Sequence, residues 1–315
     1  MTFLQEAPSR VLGFDVAQDT IAVFDSAQGK VLTLTNSPSA LRKFIAGLEG
    51  SCLAVCEPTG GHEGLLIREL TAAGVPCHRA DTLKTKAFLR SFGTLAKTDA
   101  IDARALALYG LERWKGLALF TPAAREQAHL TALVLRRQDL VALQVAETNR
   151  LKAPGAQVLK ASCKAMLRAL KTQLQLLDHA IEELIATCQS LKRRVEVSLS
   201  LPGVGPRTAI ALAAIMPELG TLGRRQAAAL AGTAPHPRDS GTLRGYRRMR
   251  GGRPQVRTVL FMAALAASRA SGPLRETYQR LVASGKKPIV AISALMRKII
   301  VILNARIRDD LAKQS

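Results

Sequence analysis

The sequence predicts an α/β domain over residues 1–120, a helical coiled-coil segment over 121–197 and a mainly α C-terminal domain over 198–315. Three observations predict it. Short apolar runs alternate with helix-length segments as far as residue 80, a three-four apolar alternation then takes over, and after residue 200 alanine-rich helices are separated by Gly/Pro turns.

Val11-Leu-Gly-Phe-Asp15 and Thr20-Ile-Ala-Val-Phe-Asp25 read as strands joined by a hairpin turn, and Lys30 to Thr35 reads as a third. A helix is expected from Pro38 to Leu48, a strand over 52–57, a helix over 63–73 and a strand over 75–80. Three leading strands followed by helix and strand alternation is the element order of a ribonuclease-H-like α/β domain. Ser91 to Thr98 is a Gly-containing break, and Pro122 marks a boundary.

Two long helices are expected between Glu126 and Val195, parted near Pro154-Gly155. The second carries Leu167, Leu170, Leu174, Leu177, Ile181, Leu184, Cys188, Leu191 and Val195, a seam that predicts an antiparallel coiled-coil hairpin and a homodimer or tetramer. A purely intramolecular bundle would satisfy the same pattern. Leu201-Pro-Gly-Val-Gly-Pro-Arg-Thr208 before an alanine-rich helix resembles a helix-hairpin-helix turn, in which Gly203, Gly205 and Arg207 would face a phosphate backbone.

Forty-five basic against 24 acidic residues give a net charge of +21, which implies a polyanionic partner, with nucleic acid leading. The apolar stretch from Pro288 to Leu303 is interrupted by Arg297-Lys298 and reads as too short to span a bilayer, so no membrane association is expected. Met1 to Arg10 lacks the basic-then-apolar order of a signal peptide, and a cytoplasmic protein is expected. The five cysteines have no CxxC spacing and read as reduced thiols in the interior. Aromatic residues are only 4% of the chain, which disfavours recognition by base stacking.

Four carboxylates carry the chemistry. Asp15 closes one strand and Glu57 ends another, before the breaker Pro58-Thr-Gly-Gly61. Asp99 and Asp102 stand three residues apart behind Thr98, an N-cap, so both fall on one face of a helix. Like charges brought together raise one another's pKa and persist when a cation neutralises them. The all-oxygen set favours Mg²⁺ or Mn²⁺ and phosphoryl transfer.

Arg244, Arg247, Arg248, Arg250, Arg253 and Arg257 fall within fourteen residues, with Gly245, Gly251 and Gly252 interleaved. Such a run is a solvated face in many proteins; here the glycines suit close approach of backbone to phosphate. Ser240, between Asp239 and Gly241, reads by itself as a turn serine, because a free hydroxyl is a poor nucleophile.

Gly13-Phe-Asp15-Val, Cys56-Glu57-Pro-Thr-Gly60, Gly93-Thr-Leu-Ala-Lys97-Thr-Asp99-Ala-Ile-Asp102-Ala, Leu201-Pro-Gly-Val-Gly205 and Leu230-Ala-Gly…Ser240-Gly241 follow one another in order. Together they resemble the DEDD transposases of the Piv-invertase-related insertion-sequence family, whose members include bridge-RNA-guided recombinases. The resemblance runs from about residue 10 to 305. It implies that Asp15, Glu57, Asp99 and Asp102 bind Mg²⁺, that Ser240 attacks a DNA phosphate to form a covalent intermediate, and that Lys97 joins the arginines in holding nucleic acid. Donor and target DNA are the implied partners, together with a structured guide RNA. A Holliday-junction-resolvase-like nuclease acting by hydrolysis would use the same acids without the serine.

Overall fold

The computed structural model describes residues 2–93, 98–237, 239–242 and 245–313. Two compact units are present, 1–122 and 123–315. The first is built on strands β1 (Arg10–Val16), β2 (Thr20–Asp25), β3 (Lys30–Thr35), β4 (Cys52–Cys56) and β5 (Cys77–Arg79), with helices α1 (Pro38–Ala46), α2 (Glu63–Ala72), α3 (Thr82–Ser91) and α4 (Asp99–Arg113). The sheet order is β3-β2-β1-β4-β5; the first three strands pair antiparallel, whereas β4 runs parallel to β1 and β5 parallel to β4.

The central strands β1 and β4 are covered on both faces, which is why they read as continuous apolar runs. Leu12, Phe14, Ala54 and Cys56 face α1 and α2, and Val11, Leu53 and Val55 face α4. Arg10, half-buried, and Asp25, buried, form an ion pair across β1 and β2, with Arg10 Nε donating at 3.0 Å. Burial works against ionisation of Asp25, but the guanidinium and the Ala27 N–H outweigh it and hold the carboxyl below its usual range. The edge strand β3 is exposed and begins with a lysine.

Glycine sets how closely α4 lies on this sheet. A Cβ on Gly13 would stand 2.0 Å from the Ala103 carbonyl oxygen and 2.5 Å from the Ala107 nitrogen. Gly110 of α4 reciprocates, since a Cβ there would meet Val11 at 2.6 Å and Val55 at 2.8 Å. The helix that begins with Asp99 and Asp102 is therefore seated against β1 and β4 through two positions that tolerate no side chain.

The second unit begins with α5 (Arg125–Lys152) and α6 (Lys160–Thr187), which pair antiparallel. Arg137 meets Asp178, Leu140 shares a small core with Leu170 and Leu174, and Leu130 and Val134 share the main core with Ile181. The expected seam positions are buried or half-buried, but the helix carrying them is not continuous to Val195. It breaks at Cys188, which has φ −107° and ψ 104°, and α7 (Gln189–Leu199) starts anew. The apolar periodicity persists across the break because α7 uses the same side of the chain to enter the main core.

Beyond α7 come α8 (Pro206–Ile215), α9 (Arg224–Leu230), the two-residue strands β6 (Pro235–His236) and β7 (Arg248–Met249), then α10 (Pro254–Ala267), α11 (Pro273–Ala283) and α12 (Pro288–Ala312). By length and composition α12 could cross a membrane, contrary to the expectation from its first sixteen residues. Its apolar length instead serves the core: Leu295, Ile299, Ile300 and Leu303 are fully buried.

Asn304, also of α12, fastens the turn between α8 and α9, accepting from Gly220 N–H at 2.9 Å and donating to the Leu222 carbonyl at 2.8 Å. Asn304→Leu leaves both backbone groups buried without partners and is expected to cost about 3 kcal/mol in urea unfolding. A midpoint equal to that of the wild type would show the clasp to be energetically silent.

All five cysteines are free thiols, four of them buried and Cys188 half-buried. A hydrogen bond with Cys77, together with burial, pushes the Cys56 thiol far up, so Cys56 is not a thiolate poised for reaction.

Candidate active site

The four acids are brought to one place by three elements. Phe14 pairs with Cys56 in the parallel β1–β4 ladder, so Asp15 and Glu57 follow side by side at the carboxyl ends of adjacent strands. Because Phe14 and Cys56 face α1 and α2, strand alternation turns Asp15 and Glu57 toward α4. Thr98 caps α4 by accepting from the Ile101 N–H at 3.3 Å, and Asp99 and Asp102 occupy the first turn, where the helix dipole favours negative charge. All four line one cavity of about 330 Å³, with Thr59, Thr85 and Lys86 among its other walls.

Three residues that motif reading did not single out, Thr85, Asp81 and Glu63, support this cavity. Thr85, only 2% exposed, donates its hydroxyl to Glu57 Oε1 and so fixes one carboxylate from the first turns of α3. Asp81 anchors that helix, its Oδ1 accepting from the N–H groups of Leu83 at 2.9 Å and Lys84 at 3.2 Å. Glu63 organises the turn after Glu57: its Oε2 accepts from Thr59 and Gly61 N–H, each at 3.0 Å, and Arg79 stands 3.8 Å from Oε1. Burial opposes its ionisation, yet these backbone donors and Arg79 hold the carboxyl below its usual range. Gly60 and Gly61, both at positive φ, make the turn possible. The signals were an Asp-Thr helix start at 81–82 and an acid at the first helical position after a turn.

The chemistry of the donor set suits a hard divalent cation. It is all oxygen, and among the described residues no ion pair to Lys or Arg engages Glu57, Asp99 or Asp102. Among those same residues, however, no three acids, cysteines or histidines close into a ready-made metal cluster. The cavity thus supplies carboxylates around a space rather than a finished cage, in keeping with Mg²⁺ sites that rely on water and substrate phosphate for remaining ligands.

In the second unit, Ser240 is exposed on the loop that closes the β6–β7 arm, where Pro235 pairs with Met249 and His236 with Arg248. Asp239 stiffens that loop by accepting from the Gly245 N–H at 3.0 Å. Arg247, Arg248 and Arg250 are exposed around the same arm, and Arg207 is exposed at the start of α8. Lys97 and Arg244 lie outside the described residues.

The glycines and the last arginines of this segment are engaged within the fold. A Cβ on Gly252 would sit 2.2 Å from the Gly232 nitrogen, and Arg253 N–H donates to the Leu230 carbonyl at 2.9 Å, so Gly251-Gly252 locks backbone to backbone against Leu230-Ala-Gly232. Arg253 is bidentate to Glu218 at 2.9 and 2.6 Å, and Arg257 donates to the Gly251 carbonyl. Gly203 has φ +91°, as its turn requires, but faces Ala267, which a Cβ would approach to 2.5 Å. Gly205, with open space at its Cβ position, stands at the N-cap of α8.

An α/β unit with a four-carboxylate cavity, followed by a helical unit with an arginine-rich arm, is an arrangement suited to chemistry on a phosphodiester. Comparison with known proteins gives that arrangement its family. A model described as "Transposase IS116/IS110/IS902 family" matches residues 196–279, and the DEDD_Tnp_IS110 transposase model matches residues 12–161. The pilin gene-inverting protein of Moraxella bovis is 30% identical over 228 residues, covering 71% of this chain and 70% of that protein. Its counterpart from Moraxella lacunata is 29% identical over the same shares. A 44.8 kDa protein of insertion element IS116 from Streptomyces clavuligerus is 31% identical over 204 residues, 60% of this chain and 50% of that one. The chain belongs to the IS110 family of DEDD transposases. Membership implies DNA as a partner and dependence on a divalent metal.

Proposed function

We propose that this transposase cleaves and rejoins DNA through two half-sites, the carboxylates Asp15, Glu57, Asp99 and Asp102 in a ribonuclease-H-like, RuvC-type domain, and the nucleophile Ser240 in the C-terminal domain. The observation that carries the reading is the convergence of all four acids on one cavity from two strand ends and one helix start. The strand order β3-β2-β1-β4-β5 supports the ribonuclease-H-like assignment.

A bound Mg²⁺ or Mn²⁺ would supply charge stabilisation at the phosphate and the leaving oxygen. Ser240 Oγ forms a bond to phosphorus as the P–O3′ bond breaks; the serine proton is released and the 3′ oxygen ends as a hydroxyl. The phosphoserine ester keeps the energy of the phosphodiester, so a second 3′ hydroxyl can displace the serine without ATP. Arg247, Arg248 and Arg250 hold the strand beside the serine, while Arg253 and Arg257 hold the arm's root. The acids and the serine act together on donor and target DNA selected by a structured guide RNA, in a dimer or tetramer joined through the α5–α6 coiled-coil hairpin.

The test is covalent. Incubation with donor and target DNA, Mg²⁺ and copurifying RNA is expected to give a protein–DNA adduct that survives denaturing electrophoresis and is absent for Ser240→Ala. Strand cleavage that persists in Ser240→Ala without any adduct would establish hydrolysis by the acids alone, as in a junction-resolving nuclease.

Thr85 then serves as a positioning residue for Glu57. Thr85→Val keeps the buried volume but removes the hydroxyl, and Mn²⁺ affinity by calorimetry is expected to fall roughly 10–100-fold, as for other groups that orient metal ligands. Thr85→Ser should restore it. Equal affinity in the valine variant would remove the role.

A further inference from the structure

Helix α3 separates two cavities. Thr85, Lys86 and Leu89 face the carboxylates, whereas Lys84, Phe88 and Ser91 line a second groove of about 700 Å³, completed by Tyr109 and Arg113 of α4 and by Lys115 in the following turn. Aromatic residues are scarce in this chain, which has one Trp, three Tyr and eight Phe, yet Phe88 and Tyr109 line this groove, Phe92 packs on Phe88, and Trp114 stands next in sequence to the lining residues Arg113 and Lys115. The first three rings form a stepped array: Phe92 meets Phe88 edge-on at 5.0 Å and Phe88 meets Tyr109 at 5.4 Å. Phe92 at the outer end is 54% exposed. Lys115 Nζ lies 5.4 Å from the centre of the Trp114 ring, and Lys84 and Arg113 are exposed on the rim.

We infer that this groove holds unpaired nucleotides of a nucleic-acid strand next to the carboxylate cavity. The three basic side chains outnumber Glu112, the one acid on the groove, and so favour a polyanion. An exposed aromatic edge among cations is suited to stacking a base, which a duplex keeps hidden and a single strand offers. The position across α3 from the acids places such nucleotides where a strand leaving the cavity would be caught. The low overall aromatic content thus conceals a local stacking platform, which goes beyond the backbone contacts assigned to the arginine arm.

The single tryptophan of the chain is a built-in reporter. The full-length protein in EDTA is titrated with oligothymidylate and oligouridylate of about 12 nucleotides, with a blunt duplex of the same length, and with polyglutamate, while Trp114 fluorescence is followed. Saturable quenching by a single strand is expected, with the tighter of the two identifying DNA or RNA as the occupant. Phe92→Ala and Lys84→Glu, both at exposed positions, should each weaken it roughly 10-fold. Equal response to duplex or polyglutamate, unaltered affinity in both variants, or no quenching by either single strand would overturn the inference. No turnover is involved, so a failure of the serine mechanism would leave this result intact, and the converse holds as well.

Discussion

Asp15→Asn is expected to form neither adduct nor recombinant product, with activity down about 10³-fold or more, while still binding DNA within a factor of about two. The substitution keeps size and shape but removes the charge from the strand end where three more carboxylates converge. Charge stabilisation by metal at a phosphoryl centre is worth several kcal/mol, and about 4 kcal/mol corresponds to that 10³-fold loss. DNA binding, by contrast, is assigned to exposed basic residues that the substitution does not touch. Residues that act as one catalytic unit are not additive, so Asp15→Asn combined with Ser240→Ala should be hardly worse than either alone. Multiplicative losses in the double variant would mean that acids and serine serve separate reactions. Band-shift and product assays on the three variants decide it.

Gly13→Val is expected to lower the melting temperature of the first unit by on the order of 10 °C and to abolish metal binding with it. No ionisable group is altered. A Cβ at this position collides with the backbone of α4, and backbone cannot rotate aside as a side chain can. The helix must lift off β1 and β4, which costs about 3 kcal/mol by the usual scale of overpacking. Lifting α4 carries Asp99 and Asp102 away from Asp15 and Glu57. Calorimetry and Mn²⁺ titration test both halves; a melting temperature within about 2 °C of the wild type would show that α4 is not seated by this contact.

Much of the site was legible in sequence because each acid stands at a punctuation mark. Asp15 and Glu57 end apolar runs, and Thr98 announces the helix of Asp99 and Asp102; strand ends and caps are local events that local sequence specifies. Thr85 was not legible. Helix α3 has no apolar stripe, and Thr85 is its one buried residue among those described, so neither periodicity nor a motif pointed to it. The break at Cys188 was hidden for the opposite reason, because the apolar spacing of α6 and α7 stays in phase across it.

Glycine and arginine mark the division most clearly. The sequence by itself determined the candidates: four carboxylates in a fixed order, a serine amid arginines, and a charge of +21 that favours a polyanionic partner. Composition and local punctuation suffice for that, since charge and strand or helix ends are properties of short segments. Only the tertiary structure decided which glycine admits a helix, which locks two loops, and which arginines pair within the fold. Gly13 faces α4, Gly252 faces Gly232, and Arg253 faces Glu218, each through a partner at least twenty residues away in the chain. Contacts at such separation depend on how elements pack, and packing is what brings the opening pair, Asp15 and Glu57, into the same cavity as Asp99 and Asp102.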